Sequence, residues 1–292
     1  MKMNVLYRYL LIAACCLISL LSCTKEEAAE TVTVCYEVSF YDYEIKSTAL
    51  GDGSDINHIW YAVYNTDGSL FKECEAPVLL EDGKARCPVT LVLDQPYKVV
   101  FLGMHYDSNG TPAYVINPAA GTVSQPQEPL VSSNKTDLFY AYDDIVKYIG
   151  AVKDGVTLSR IVSQINFACT KADWEKPTHT AKPVSSSLVL KSAPYAFSLT
   201  DGKILPGTKD IAYSKANLPS GTDAMLGANY RLLTAYSFAA AAPELTTVSA
   251  ELKLWKEGST NHDYLLQVSN VDLQINKHTN VTGDILSMAE NK

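Results

Sequence analysis

The chain has 292 residues, with 24 Lys and Arg against 32 Asp and Glu, a formal charge of −8. That acidic balance argues against nucleic acid and against a polybasic membrane surface as partners. With 47% hydrophobic residues and 18 Tyr, the chain is long and apolar enough to bury one large core or two ordinary ones.

Lys2 and Arg8 precede an apolar run from Tyr9 to Leu21, which ends in a small residue and a cysteine. Basic, apolar, then small is the order of a secretory signal. The 13-residue run falls short of the roughly 20 residues of a membrane-spanning helix. Leu20-Leu21-Ser22-Cys23 resembles the bacterial lipobox, with Leu20 at −3, Ser22 at −1 and Cys23 at +1. The resemblance implies that residues 1–22 are removed and that Cys23 is acylated, with enough lipid for lasting attachment to a membrane. Lys25-Glu26-Glu27 looks like the lipoprotein export signal of Bacteroidetes, which implies display on the outer face of the cell outer membrane. Residues 23–30 are then a tether, and the mature chain, with 22 basic and 32 acidic residues, has a charge near −10.

From Thr31 the pattern becomes that of a sheet. Val32, Val34, Tyr36, Val38 and Phe40 alternate with Thr33, Cys35, Glu37 and Ser39, the period of a half-buried strand. After a polar loop from Lys46 to Asn57, Ile59 to Tyr64 and Ser69 to Phe71 read as a hairpin about Asn65-Thr66-Asp67-Gly68. Arg86 to Leu93 and Tyr97 to Met104 are further strands, and Asp107 to Asn134, rich in Gly, Pro, Asn and Ser, reads as a long loop. Leu138 to Tyr142 and Val156 to Cys169 resume the strand pattern. In the second half, Ser186 to Leu190, Tyr195 to Leu199, Ile204-Leu205, Val248 to Leu254, Tyr264 to Val268 and Val271 to Ile275 are predicted strands. Ala224 to Ala242 is Ala-rich enough for helix, yet Tyr230 to Phe238 also fits a strand. Hairpin turns and strands at roughly ten-residue spacing predict an all-β chain of two antiparallel β-sandwiches. The division falls at Lys153-Asp154-Gly155, giving 31–152 and 153–292, or else within the linker-like stretch 172–183.

Of seven cysteines, Cys15 and Cys16 leave with the signal and Cys23 is the lipid site, so Cys35, Cys74, Cys87 and Cys169 remain. None of these pairs has C-x-x-C spacing, which argues against a metal or redox site. Cys74 and Cys87 flank the turn Glu81-Asp82-Gly83 almost symmetrically. That placement predicts two cysteines facing each other across a hairpin, a candidate disulfide in an oxidising compartment.

Five segments occur in order: Trp60-Tyr61-Ala62-Val63-Tyr64-Asn65 with Asp67-Gly68, Tyr97 to Phe101, Asp137 to Tyr142, Leu158 to Phe167, and Asn276 to Leu286. Together they resemble the strand-turn, core-strand and C-terminal blocks of the fimbrillin superfamily, the type V pilin-like fimbrial subunit lipoproteins of Bacteroidetes. The resemblance implies two transthyretin-like antiparallel β-sandwich domains and assembly by strand exchange. In that scheme a protease of trypsin-like or Arg-specific type removes the first strand. A strand from a neighbouring subunit then fills the groove, satisfying its unpaired backbone groups and alternate side-chain pockets. Here the removable strand is Thr31–Phe40, with Val34, Tyr36, Val38 and Phe40 as its plugs. Lys46 is the only basic residue of the next loop and hence the possible protease site, for the family's arginine is absent there. Ser287 to Lys292 lacks the alternation of a donor strand. Both departures point to a lipid and first strand kept as a lasting anchor. The implied partners are the membrane, through the lipid, and other fimbrial subunits or host or bacterial surface ligands.

Signals for catalysis are sparse. His58, His105, His179, His262 and His278 show no metal-ligand spacing, and no nucleophile elbow, P-loop or dinucleotide pattern occurs. Asp143-Asp144, after Tyr142, can be read as a paired carboxylate, but strand-end acids exposed to water are far commoner, and the carboxylates of a glycosidase come from distant segments. The chain therefore reads as a non-enzyme without metal or cofactor. A second reading is a glycan-binding surface lipoprotein of a polysaccharide-utilisation system, with Trp174 and Trp255 as aromatic platforms.

Overall fold

The computed structural model describes residues 29–40, 53, 55–74, 84–125, 130, 134–145 and 155–290. Cys23, Lys25, Glu26, Glu27 and Lys46, with the signal and most of the tether, lie outside the described residues. In chain order the strands are β1 (Thr31–Phe40), β2 (His58–Asn65), β3 (Leu70–Cys74), β4 (Lys84–Val92), β5 (Tyr97–Met104), β6 (Val115–Asn117), β7 (Thr122–Ser124), β8 (Leu138–Ile145), β9 (Val156–Arg160) and β10 (Val162–Cys169). After α1 (Lys171–Trp174) come β11 (Pro183–Pro194), β12 (Ala196–Ser198), β13 (Lys203–Ile204), β14 (Thr208–Asn217), β15 (Met225–Leu226), β16 (Asn229–Phe238), β17 (Thr246–Lys256), β18 (Tyr264–Leu273) and β19 (His278–Gly283), then α2 (Ile285–Glu290).

The first nine strands, except β6 and β7, form one seven-stranded sheet in the order β3-β2-β5-β8-β9-β1-β4. A flat sheet of that width would keep β2 and β4 far apart. Instead Tyr61 and Val63 of β2 share one buried cluster with Cys87, Val89 and Leu91 of β4 and with Val34, Tyr36 and Val38 of β1. The sheet therefore wraps round its own core. The β2–β3 turn fits its sequence: Gly68 at φ +83 takes the left-handed position that other residues avoid. Asp67 accepts hydrogen bonds from both the Ser69 amide and hydroxyl.

The second unit is a true sandwich, with sheets β15-β16-β10-β19 and β14-β11-β17-β18 enclosing Ile165, Phe167, Leu188, Leu190, Leu233 and Leu252. A fourth sheet, β13-β12-β7-β6, joins the units, because its hairpin β6–β7 belongs to the first and β12–β13 to the second. At this junction Gly121 (φ +60) brings its backbone so close that a Cβ would lie 3.1 Å from Thr200 Cγ2. Behind the joining sheet lies a third core of Trp60, Tyr64, Leu102, Tyr140, Phe197 and Phe238. Strands β2 and β5 are thus buried on both faces, which is why they read as nearly continuous apolar runs.

Most predicted strands are present, and Ala224 to Ala242 contains the strand β16. Val156 to Cys169, expected as one stretch, is two strands in different sheets, and the chain passes between units at Ile161. That crossing comes after the expected division at 153 and before 172–183. A buried ion pair marks it: Arg160 Nε and Nη2 each donate to Asp137 at 2.7 Å, with side chains only 5% and 2% exposed. The expected long loop contains β6 and β7, of which β6 pairs with β7 and β7 also with β12 of the other unit. Two pairings, β1–β9 and β10–β19, are parallel rather than antiparallel; each joins segments far enough apart in the chain for the long crossover that a parallel pair needs.

Candidate functional site

Strand β1 does not lie beside its sequence neighbour β2. It sits between β9 and β4, paired antiparallel with β4 through nine residues from Thr31↔Val92 to Ser39↔Lys84, and parallel with β9 only from Val38 to Phe40. Alternation sends Val34, Tyr36 and Val38 inward, all at 0% exposure, while Thr33 and Glu37 face water. The side chain of Phe40 lies outside the described residues. Tyr36 makes the most specific contacts of the three. Its ring meets Phe101 edge-on at 5.1 Å, and its hydroxyl donates to Asp143 Oδ2 at 3.0 Å. On the outer face Lys84 and Glu37 pair at 2.6 Å, both half-exposed, a contact of at most about 1 kcal/mol.

Cys74 and Cys87 do not face each other across a hairpin. β3 pairs with β2 and β4 with β1, so the two strands end opposite edges of the sheet order. Wrapping of the sheet brings those edges back together. Tyr61, in register with Cys74, donates its hydroxyl to the carbonyl of Pro88, the residue after Cys87, at 3.0 Å. Cys35, Cys74, Cys87 and Cys169 are all free thiols here.

A second polar cluster pins the C-terminal helix. Asp173, buried in α1, accepts from Cys169 Sγ at 3.3 Å, from the Leu286 and Ser287 amides at 2.8 and 3.3 Å, and from the Ser287 hydroxyl. His179 Nε2 lies 3.1 Å from Asp173 Oδ1 and 3.3 Å from Ser287 Oγ. Because one ring nitrogen meets both partners, the Asp-His-Ser set lacks a triad's relay geometry and acts as a clamp. Burial alone would raise the Asp173 carboxyl, but hydrogen bonds from Ser287, Cys169 and Leu286 outweigh it and hold it at about 2. With its folded pKa below the ordinary 3.8, Asp173 stabilises α2 fully above about pH 4, and this contribution is lost as pH falls through about 2. The protection factors of the Leu286 and Ser287 amides, taken against intrinsic exchange at the same pH, should therefore fall at pH 2. Asp173→Asn should lower them likewise at pH 7, at a cost of about 1–3 kcal/mol; unchanged protection in both cases would contradict the clamp.

The other candidate residues are engaged with neighbours. Asp143 and Asp144 point to opposite faces of β8, as strand alternation requires: Asp143 to Tyr36, and Asp144 to Lys98 at 3.4 Å. They therefore do not form a carboxylate pair. Trp174 stacks on Tyr230 at 4.9 Å, and Trp255 has Lys215 Nζ 4.7 Å above its ring and the edge of His262 at 6.3 Å. His58 stacks on Tyr106 at 4.5 Å, and burial, followed by the nearby His105, lowers its pKa. Among the described residues no group of three or more His, Cys, Asp or Glu side chains is arranged to hold a metal ion. A cleft of about 780 Å³ opens beside the β2–β3 turn, lined by Tyr64, Asp67, Lys98, Asp144 and Asp201. Lys98 straps it by donating to Thr200 O at 2.7 Å.

Besides β6, β7 and α2, three further elements escaped the sequence reading. β14 carries only Ile211 and Tyr213 as large inward residues. β19 is polar and edge-paired. The single turn α1 announces itself only by Thr170, whose hydroxyl accepts from the Asp173 amide at 3.2 Å, an N-cap signal legible as Thr-x-x-Asp.

A family model described as “Family of unknown function (DUF6562)” matches residues 26–291. No curated protein matches the chain. Among solved structures, a DUF1812 protein of Bacteroides thetaiotaomicron, provisionally described as polysaccharide-binding, is similar with a TM-score of 0.51 and 13% identity over 85% of this chain and 90% of that one. The fimbrial anchor protein Mfa2 of Porphyromonas gingivalis gives 0.46 and 11%, over 86% and 91%. A fimbrial assembly protein of Parabacteroides distasonis gives 0.45 and 10%, over 87% and 91%. These are likenesses of fold alone, and the all-β architecture of mainly antiparallel sheets expected from the sequence is the one present.

Proposed function

We propose, from the premise that the chain belongs to the DUF6562 family, that it is a cell-surface lipoprotein of fimbrial type, acting in assembly, anchoring or adhesion through β-strand complementation. The observation that carries the reading is the place of β1. An N-terminal strand at a sheet edge is trimmed without consequence. One inserted between β9 and β4 leaves a slot when it moves, with pockets for Val34, Tyr36 and Val38 and the unpaired backbone of β4 along nine residues. Such a slot is a receptor for any strand with matching alternation. Acylation at Cys23 and export through Lys25-Glu26-Glu27 would put the protein on the outer membrane surface, and we read it as non-enzymatic.

With Lys46 as the only basic residue of the following loop, the surface form is expected to begin at acylated Cys23 and to keep β1, as an anchoring subunit would. Mass spectrometry of the N-terminus of surface-shaved protein checks this. A form beginning after Lys46 would assign a stalk role instead. Absence of the protein from sheared surface fibres and their bases would remove the fimbrial reading altogether. Glycan binding draws less support, because Trp174 and Trp255 both spend ring faces on neighbours within the chain.

A further inference from the structure

We propose that Cys74 and Cys87 form an oxidisable clasp across the seam where the wrapped N-terminal sheet meets itself, and that a disulfide there ties β3 to β4. Three observations carry it. Among the described residues, backbone pairing of β3 runs to β2 and that of β4 to β1, with no ladder between β3 and β4. Tyr61 reaches from one to the other, lying in register with Cys74 and donating to Pro88 O at 3.0 Å, so that one phenol meets Cys74 and the residue next to Cys87. Both also belong to one core: Cys87 is fully buried within it and Cys74, half-buried, packs against it.

The remaining cysteines are poor partners. Cys35 is in register with Pro88 and faces outward with Thr33 and Glu37, on the other side of the sheet from Cys87. Cys169 is buried in the second unit. Burial pushes the Cys87 thiol up to about 12 and raises Cys74 as well. Cys74 is the more accessible, so an external oxidant meets it first. The Cys74 thiolate attacks the disulfide of a thiol–disulfide oxidoreductase, forming a mixed disulfide and freeing one thiol of the oxidant. The Cys87 thiolate then attacks the Cys74 sulfur, closing the bond and freeing the second. Two S–H bonds are lost from the protein, and their two electrons and two protons end on the oxidant as a dithiol. The clasp also fixes β4, the main wall of the β1 slot, and it stands whether or not the chain is fimbrial.

The mature chain is oxidised with such an oxidoreductase, unfolded without reductant, alkylated and digested. The expected result is a linked Cys74–Cys87 peptide pair, unalkylated at both residues. The oxidised chain should also melt roughly 5–10 °C above its reduced form, a difference absent from Cys74→Ala, which leaves the buried Cys87 in place. Full alkylation of both residues after oxidation would overturn the proposal, as would linkage of either to Cys35. A bridge that forms without raising the melting temperature would overturn the claim that it closes the seam.

Discussion

Asp137→Ala is expected to lower the unfolding free energy by about 3–5 kcal/mol. Asp137 and Arg160 are joined by two hydrogen bonds of 2.7 Å with side chains 2% and 5% exposed, and Asp137 also accepts the Leu138 amide at 2.9 Å. Removing the carboxylate leaves a guanidinium that cannot lose its proton in a place that water does not reach. The face of Phe139 lies 5.0 Å from the guanidinium. The penalty is thus mainly that of a buried charge deprived of its counter-ion, not of one lost contact. Asp137→Leu with Arg160→Met, which removes both charges at similar volume, should recover much of the loss. Chemical denaturation of the single and double variants checks both statements. A single-variant loss below about 1 kcal/mol would mean that the pair is wet and behaves as a surface salt bridge.

Phe238→Ala is expected to cost about 3–5 kcal/mol and, more tellingly, to uncouple the two units. Phe238 is fully buried, with Tyr114 edge-on at 5.8 Å and Phe197 stacked at 6.2 Å. It lies in the third core, which packs one outer face of the first unit against the second. Leu252→Ala, inside the second sandwich, should cost about 2–5 kcal/mol without touching that interface. Calorimetry should therefore show one transition for the parent and for Leu252→Ala, and two for Phe238→Ala. A single transition in all three would assign the coupling to the joining sheet β13-β12-β7-β6 alone.

Strand identity was legible wherever the sequence alternated in a half-buried environment. Thr31–Phe40 and Thr246–Lys256 each present one apolar and one polar face, and period-two alternation says so directly. Strands β2 and β5 were legible as strands, but nothing in their continuous apolar runs told which residue faces which core. Trp60, Ala62 and Tyr64 point to the junction, whereas Ile59, Tyr61 and Val63 point to the first core. β6 and β7 were not legible at all, since three residues each are too short to carry a period, and they are ordered by pairing with each other and, for β7, with β12. Val34, Tyr36 and Val38 are buried, as the alternation implied, but the partner of the Tyr36 hydroxyl, Asp143, comes from a strand more than a hundred residues away.

By itself, the sequence determined local matters: an all-β chain, most strand limits, the turn at Asn65 to Gly68, and the face that each alternating strand would bury. These follow from dihedral preference and period, which act within a few residues. Only the tertiary structure decided which strands are neighbours. It placed β1 between β9 and β4, sent β9 and β10 into different sheets, and brought the edges β3 and β4 together at Tyr61. Pairing across such distances is set by the burial of whole faces against each other and by closure of the sheet, and these are properties of the assembled core that no short window of residues contains.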